Sequence, residues 1–575
     1  MYQRGQKYLS LFLLLLLVFG LSARAQQSGI QLHGSVQSEF LVPEDDALIG
    51  TESSEHALLN NTYIDLGLTS RYVDAGARVE FMQYPLPGFE PAFQGWGVPH
   101  VYAKGKLKGM ELTLGDYYEQ FGSGLILRTY EERSLGIDNA LRGARFKVNS
   151  LNGFRFTSLA GVQRTYWKWD DESRVYGADA EADLSELFGS MGQKGIVWTL
   201  GTSWVMTSEE KVTDGYGYVF VPGTLDYLNL PQHTSAFDVR SQFHLKDVTL
   251  FAEYAAKGQD PSASNSYTYH HGSAALFSAS YSKKGFSTLV QAKRSEDMAF
   301  RSHRGMTGTA GYLNHMPAFA YQHTYALAAL YPYATQYCNI NPTGTQLVPG
   351  EWALQAEAAY SIKRGTPLGG KYGTKVKANF SHIRGLDATP VESHLGYVYG
   401  TDGYVSSFFG TSDEAYYQDV NIQLEKKFTK HFKLNLMYMN QLYNHTIVEG
   451  HGGMQRSHIF VGEGKYQFND KTTLRGEAQY LATGHESGDW MYGLLELSVL
   501  PHLMFTVSDM VGSPYINGSY GPKQHYYLGS ITYNHGAHRA TLGYGRTHAG
   551  YNCSGGVCRW IPASRGVQAT YNVTF

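Results

Sequence analysis

Apolar and polar residues alternate over segments of about ten residues along most of this chain, and turn residues separate the segments. A period of two places successive side chains on opposite faces of an extended strand. The segments 75–81, 420–428 and 473–482 show the alternation clearly. Their predicted polar faces carry Arg78 and Glu80, then Asn421, Gln423, Glu425 and Lys427, then Thr473, Arg475, Glu477 and Gln479. No extended helical periodicity interrupts this pattern, so the chain is predicted to be all-β.

Counting the segments predicts a large antiparallel transmembrane β-barrel of about 24 strands, with 22 to 26 as the range that the segment boundaries allow. The strands of one direction are placed near residues 30, 74, 110, 153, 195, 247, 285, 372, 431, 471, 502 and 537. Their partners begin near 61, 98, 141, 173, 233, 269, 350, 416, 456, 488, 525 and 565. The alternative is a soluble propeller or solenoid, which would require a fixed-period repeat that the sequence lacks.

The connections between these segments fall into two classes, as barrel hairpins with short periplasmic turns and long outer loops should. The tight turns include 150–153, 245–247, 282–285, 429–431, 469–470 and 534–536. The long connections are 41–60, 208–232, 295–349, 384–415, 442–455, 512–524 and 548–564. The segment 322–330 also resembles a strand, but counting it as a crossing would reverse the two classes. We therefore place it inside the 295–349 loop.

The last strand, 567–575, alternates without a break and ends on an aromatic residue. It resembles the closing strand of a bacterial outer-membrane β-barrel. The resemblance implies that one face of this strand is the signal read by the barrel-assembly machinery during biogenesis. The residues of that face are Val567, Ala569, Tyr571, Val573 and Phe575.

The amino terminus has the pattern of a secretory signal peptide. Two basic residues precede an apolar run over 9–21, and Ala23-Arg24-Ala25 supplies a small-x-small cleavage site. We expect residues 1–25 to be removed and 26–575 to form a single outer-membrane barrel domain. No later apolar stretch approaches the roughly 20 residues that a spanning helix needs. Only a closed barrel could then satisfy the backbone of this chain in a bilayer.

Composition agrees with an outer-membrane location. The 44 Tyr and 64 Gly are many for this length, while charged residues make up only 17 per cent. Tyr suits the two water–lipid interfaces, and Gly suits turns and crowded barrel walls. The expected partners are outer-membrane lipid and lipopolysaccharide, the barrel-assembly machinery, and other outer-membrane proteins. A net charge of −3 gives no reason to expect nucleic acid.

The most unusual stretch is 115–143, which reads GDYYEQFGSGLILRTYEERSLGIDNALRG. With this element the chain resembles a largely uncharacterised family of outer-membrane β-barrels from Bacteroidetes that carry GDYYEQFGxGL. The resemblance covers most of the mature chain. It implies a fold and an outer-membrane location rather than an activity.

Charged residues concentrate in the same stretch, and two hypotheses account for them. Either the segment folds into the lumen and lines a constriction of mixed charge, as inward loops do in porins, or the charges pair and brace a wide barrel wall. The candidate constriction residues are Arg128, Glu131, Glu132, Arg133, Asp138 and Arg142.

Cys553 and Cys558 flank Ser-Gly-Gly-Val in the loop before the last strand, and in an exported protein such a pair favours a disulfide. A metal site is the alternative, although no second ligand pair accompanies them. Cys338 is expected to be unpaired. We expect no cofactor and no enzymatic activity, because the 22 His show no zincin spacing and no G-x-S-x-G element stands out.

Two surface features have both a functional and a structural interpretation. The acidic residues 44–46 and 52–55 either bind a divalent cation that bridges lipopolysaccharide or form a solvated face. The aromatic residues of 397–409 either contact a sugar or a partner protein, or pack as a lid over the barrel mouth, which we prefer. These residues are Tyr397, Tyr399, Tyr404, Phe408 and Phe409.

The sequence therefore predicts an integral outer-membrane barrel. Strands begin near Ile30, which leaves no room for a separate globular plug before them, so either loops fill the lumen or the barrel conducts. The first hypothesis is a porin-like or substrate-selective channel, in which 115–143 and 295–349 act as inward constrictions. The alternative is a non-conducting barrel subunit of a larger outer-membrane assembly or secretion complex.

Overall fold

A computed structural model describes residues 29–51, 56–169, 172–209, 228–391 and 398–575. They form one closed antiparallel barrel of 24 strands. The strands are β1 Gln31–Pro43, β2 Leu59–Thr69, β3 Val73–Met82, β4 Gly95–Leu107, β5 Met110–Tyr117, β6 Leu141–Leu151, β7 Phe154–Thr165, β8 Ser173–Asp183, β9 Ile196–Glu209, β10 His233–Leu245, β11 Val248–Gln259, β12 His271–Lys283, β13 Phe286–Glu296, β14 Gly350–Ile362, β15 Thr374–Pro390, β16 Tyr404–Lys427, β17 Phe432–Asn444, β18 Met454–Gln467, β19 Thr472–Thr483, β20 Trp490–Val499, β21 Leu503–Gly512, β22 Gln524–His535, β23 His538–Thr547 and β24 Ser564–Thr574.

The barrel closes where β1 pairs with β24, with Ser38 opposite Tyr571 and Phe40 opposite Ala569. Each strand otherwise pairs with its neighbours in sequence, so the topology is an up-and-down meander. A closed meander leaves no strand edge unpaired, which is the condition for crossing a bilayer with strands. The predicted all-β barrel is confirmed.

The predicted strand starts lie within three residues of the observed ones, with a single exception at β16. That strand begins at Tyr404 rather than near 416, because the β15–β16 hairpin continues past the end of the barrel. Register shifts between Ile383 and Ala388 bend this extension away from a regular ladder.

The two classes of connection are found at opposite ends of the barrel, which we call the short-turn end and the long-loop end. The short-turn end has two longer members, 363–373 and 184–195, and the second contains the short helices Leu184–Leu187 and Gly189–Gln193. Residues 322–330 form no strand and lie inside the 297–349 connection, as predicted.

The outer face of the wall is apolar and the inner face is polar. Val507, Leu495 and Leu542 point outward and are 63, 60 and 58 per cent exposed. No helix among the described residues is long and apolar enough to cross a membrane. A closed sheet with an apolar exterior needs a lipid environment, since water would otherwise contact that whole surface.

Three features predicted from the sequence lie outside the described residues: the signal peptide 1–25, the acidic stretch 52–55 and Tyr397.

Candidate functional site

The lumen is filled by three connections from the long-loop end that fold inward. We call them inner loop 1 (118–140), inner loop 2 (297–349) and inner loop 3 (548–563). Inner loops 1 and 2 bring fully buried apolar side chains to the barrel interior. These are Leu125, Ile126 and Leu127 from inner loop 1, and Met298, Phe300, Leu313, Met316 and Leu327 from inner loop 2. Together they form a hydrophobic core that packs against the wall.

The wall makes room for this core with small side chains. Ala236, Ala255, Ala274 and Ala353 lie on the inner faces of β10, β11, β12 and β14, and all belong to the core. Ala255 and Ala274 are direct cross-strand neighbours. Because an alanine occupies little of the lumen, apolar loop side chains can approach the backbone of these strands and exclude water.

Inner loop 1 is held to the wall by a buried ion-pair cluster. Arg78 of β3 lies 3.2 Å from Asp65 of β2, 2.5 Å from Glu131 and 3.1 Å from Asp138. Arg133 reaches Asp65 at 2.8 Å. The Arg78 side chain is only 4 per cent exposed. Such a cluster is costly to break, because removing one member leaves a desolvated charge without its partner.

A second arginine from the wall completes the cluster. Arg164 of β7 pairs with Glu80 at 2.8 Å and also contacts Asp138. The Tyr118 hydroxyl lies 3.0 Å from an Arg78 nitrogen and 2.9 Å from Asp138. The inner loop is thereby connected to three separate wall strands.

The structure brings three of the six predicted constriction residues, Glu131, Arg133 and Asp138, into this cluster. Arg128 lies elsewhere in inner loop 1, where its guanidinium covers the Tyr130 ring at 4.9 Å.

The other two candidates lie apart from the cluster. Glu132 accepts a hydrogen bond from the Ser134 hydroxyl at 2.8 Å. Arg142 shares the outward face of β6 with the exposed Ala144, pairs with Asp116 at 2.7 Å and lies 4.0 Å from the Trp169 ring centroid. Control of passage by any of the six residues stays a prediction.

Inner loop 2 is anchored by polar groups of the wall. Lys293 of β13 and Glu351 of β14 are both fully buried and lie 2.6 Å apart. Glu351 also accepts hydrogen bonds from the Tyr333 hydroxyl at 2.5 Å and the Gln336 backbone N–H at 2.8 Å. Nearer the short-turn end, His323 contacts Asp419 at 2.6 Å. The loop is therefore tied to the wall at two levels.

Inner loop 3 is a hairpin closed by a disulfide between Cys553 and Cys558, whose Cα atoms are 4.1 Å apart. Its tip docks against inner loop 2, because the Thr335 N–H donates to the Gly556 carbonyl at 3.0 Å. Arg559 donates to the Leu135 carbonyl of inner loop 1 at 2.6 Å. The hairpin therefore contacts both of the other inner loops.

His315 lies where the three inner loops meet. Its backbone N–H donates to the Gly124 carbonyl at 2.9 Å, and its ring lies near Gly555. Burial lowers the pKa of His315 to about 3, and the positive charges of Arg128 and Lys293 act in the same direction. The ring is therefore neutral at neutral pH.

The third cysteine, Cys338 of inner loop 2, is not disulfide-bonded, and burial raises the pKa of its thiol. Among the described residues, no cluster of three or more His, Cys, Asp or Glu side chains could hold a metal ion.

One sector of the lumen is left open beside the inner loops. A cavity of about 520 Å³ lies against the inner faces of β20 to β24 and β1. In the described chain its lining comes from these strands, from 86–87 and from inner loop 3. The polar wall residues of the lining include Ser508, Gln568, Thr570 and Glu39.

A narrow aromatic pocket of about 60 Å³ adjoins this cavity toward the long-loop end. The two spaces share Tyr526, His548, Gly550 and Tyr551 in their linings. The aromatic side chains around the pocket are Tyr331, Trp490, Tyr515, Tyr520, Tyr526, Tyr551 and Trp560. Sequence reasoning missed this site, because its rings come from five separate segments.

On the opposite side of the lumen, two cavities of about 270 and 250 Å³ lie near the short-turn end. Both are lined by Tyr321 of inner loop 2 and by Lys377. Lys375 and Glu425 line the first and Glu357 lines the second, so this side is rich in charge.

The acidic residues near the β1 end are paired rather than free. Glu44 lies 3.2 Å from Arg565, and Asp46 lies 2.5 Å from Arg546. These contacts fix the 44–51 segment against β23 and β24.

The aromatic residues of 398–409 lie in different surroundings. Tyr404 is buried and stacks on His270 at 4.0 Å. Phe408 packs edge-on against Trp352 of β14, and Phe409 is 83 per cent exposed. Tyr397 lies outside the described residues, and the lid interpretation stays a prediction.

Several solved outer-membrane proteins are similar to this chain. The siderophore receptor PirA from Pseudomonas aeruginosa is 10% identical with a TM-score of 0.40, and the match covers 95% of this chain and 80% of that one. OccAB3 from Acinetobacter baumannii is 10% identical with a TM-score of 0.33, covering 95% and 99%. The copper transporter OprC is 7% identical with a TM-score of 0.39, covering 95% and 80%.

No curated protein matches the sequence significantly. The model of a family of unknown function, DUF6029, matches residues 6–575, and the chain belongs to that family.

Proposed function

We propose that this protein is a substrate-selective outer-membrane channel, in which solutes pass between the inner loops and the wall formed by β20 to β24 and β1. The observation that carries the proposal is the cavity of about 520 Å³ against that wall. The cavities of about 270 and 250 Å³ on the opposite side are each about half as large, and Lys377 lines both of them.

The location in the outer membrane rests on the apolar exterior and the closed meander. In this orientation the short-turn end faces the periplasm and the inner loops enter from the outside. Lipid and lipopolysaccharide surround the wall, and the barrel-assembly machinery inserts it. On the last strand, Val567 and Tyr571 are exposed on the outer face, while Val573 and Phe575 pack against Val36 of β1.

Selection in this channel is steric and electrostatic, without a cofactor or a catalytic step. The buried ion pairs keep inner loops 1 and 2 in place, so the width of the passage is set by inner loop 3 and the wall. The disulfide keeps the inner loop 3 hairpin narrow at its tip.

Single-channel conductance in planar bilayers tests the proposal when a bulky side chain is placed in the passage. Ser508 lines the cavity of about 520 Å³, and Ser508→Trp is expected to lower the conductance severalfold. Ser287 lines the cavity of about 250 Å³ on the opposite side, so Ser287→Trp is the matched control and should leave conductance unchanged. Equal effects of the two substitutions would contradict the proposed route.

A second candidate is a non-conducting subunit of an outer-membrane assembly. It is favoured by the hairpin that extends past the barrel, where Val405 and Phe409 are 69 and 83 per cent exposed. Silent bilayers that contain correctly folded, heat-modifiable protein would replace the channel proposal with this one.

A further inference from the structure

We infer that the passage is built for an uncharged, polyhydroxylated molecule, and that an oligosaccharide is its substrate class. This inference rests on the proposed channel and adds what the channel selects. A sugar ring has an apolar C–H face and a rim of hydroxyl groups. A matching site therefore needs aromatic faces together with small hydroxyl and amide side chains, and few unpaired charges.

The aromatic pocket supplies the faces at the outer entrance. Tyr551 and Trp560 of inner loop 3 lie 5.1 Å apart, and Tyr515 and Tyr520 of the 513–523 loop lie 5.0 Å apart. Trp490 of β20 lines the same pocket. Aromatic rings from two separate loops and from the wall thus surround one space.

The strip of wall below the pocket supplies the hydroxyl and amide groups. Ser508, Gln568 and Thr570 line the cavity itself, beside apolar side chains that include Met510 and Leu528. The same inner face continues toward the short-turn end as a ladder of small hydroxyl side chains. Thr506 lies opposite Ser530, Thr532 opposite Thr541, and Thr541 opposite Thr570. A polar solute leaving the cavity would meet these hydroxyl groups next.

The charges at the cavity are few and largely compensated. Its lining contains Arg546 and Glu39, and Arg546 is ion-paired with Asp46 at 2.5 Å. The other side of the lumen differs, since Lys375, Lys377 and Glu425 line the cavity near inner loop 2. The open sector is therefore the less charged one, which disfavours a strongly anionic or cationic substrate.

The space also suits a compact ligand that contacts the wall. A volume of about 520 Å³ lies in the range of small-molecule sites, about 300–1,000 Å³. The aromatic pocket of about 60 Å³ is smaller than a sugar ring, so the ligand would lie in the larger cavity. Its first ring would contact Tyr526 and Tyr551, which line both spaces, and the following rings would extend toward the hydroxyl ladder.

The test uses the full mature chain and a titration of intrinsic tryptophan fluorescence with maltohexaose, since Trp490 and Trp560 line the pocket. We expect saturable quenching by maltohexaose and none by hexagalacturonate, an anionic oligosaccharide of the same length. Tyr551→Ala should weaken binding about tenfold. Tyr551→Phe keeps the ring and should bind as the wild type does. Tyr360→Ala removes an exposed aromatic from the wall and serves as the matched control.

Swelling of proteoliposomes in the same two solutes separates this inference from the proposed channel. Faster entry of maltohexaose than of hexagalacturonate, lost in Ser508→Trp, supports both. Entry of both solutes at equal rates would overturn the oligosaccharide inference and leave the channel standing. Entry of neither solute, with no ion conductance, would overturn the channel. Tyr515→Ala, on the other loop, repeats the binding test if the Tyr551 variants fail to fold.

Discussion

The buried pair of Lys293 and Glu351 predicts how inner loop 2 is kept in the lumen. Both side chains are fully buried and lie 2.6 Å apart. Glu351→Ala leaves the Lys293 ammonium without its counter-charge and also removes the acceptor used by Tyr333 and Gln336. Breaking a buried pair in this way costs about 3–5 kcal/mol. We expect that loss to appear as local loosening of inner loop 2.

The assay is amide hydrogen exchange of the folded protein in detergent. A local cost of about 3–5 kcal/mol corresponds to exchange that is faster by roughly two to four orders of magnitude. The informative amides are those of Leu327 and Met316, which donate to Gln479 Oε1 at 2.8 Å and to the Tyr337 hydroxyl at 2.9 Å. Peptides of inner loop 1 should keep their protection, because a separate ion-pair cluster holds them.

Two further variants decide whether the electrostatic reasoning is correct. Glu357→Ala removes a half-buried carboxylate from the same strand and should leave exchange of inner loop 2 unchanged. In the double variant Lys293→Met with Glu351→Leu, no buried charge remains, so the protection lost to the unpaired ammonium should return, while the part that depends on the hydrogen bonds of Tyr333 and Gln336 should not. Two results would refute the role of the Lys293–Glu351 pair in holding inner loop 2. One is unchanged amide exchange in Glu351→Ala, and the other is an equal loss of protection in inner loop 1.

Two other predictions concern the contact of inner loop 3 with its neighbours. Gly556 has a φ of +99° and an added Cβ would lie 2.7 Å from the Ala318 Cβ, so Gly556→Ala should destabilise the docked hairpin by about 1–3 kcal/mol, measured by urea unfolding. Gly518→Ala is its control, with a φ of +84° but nothing within 4 Å of the added atom. His315 has a folded pKa of about 3 against 6.5 when unfolded, so the unfolded chain binds the extra proton as pH falls. The contribution of His315 to the free energy of unfolding should be complete above pH 7 and smaller by about 2 kcal/mol at pH 5. His315→Gln should remove this part of the pH dependence of unfolding. The same pH dependence in the variant and the wild type would contradict the prediction.

Much of the barrel could be predicted because strand alternation is a local property. The period and the polar face of each wall strand can be read from its own residues, and turn residues show where the strand ends. The exception at β16 has a physical cause: pairing with β15 continues beyond the barrel, so the strand is longer than the membrane-spanning part requires. The alternation shows which residues can pair as strands, but it does not show where a strand leaves the membrane.

The site was harder to predict because its contacts are long-range. Glu131 and Asp138 stand out in the sequence, but their partner Arg78 lies more than 50 residues away on the wall. Arg142 did carry a readable signal. It shares its parity with Ala144, so alternation within β6 places it on the outer face of the wall.

The inner face of the wall itself indicates which part of the lumen is filled with protein. Where inner loop 2 packs, β10, β11, β12 and β14 present alanines, which suit a dry contact. Where the cavity lies, β21 to β24 present Ser508, Gln568 and Thr570 together with the apolar side chains of Met510 and Leu528. The four alanines leave room for the apolar side chains of inner loop 2, so the filled sector of the lumen depends on the wall as much as on the loops.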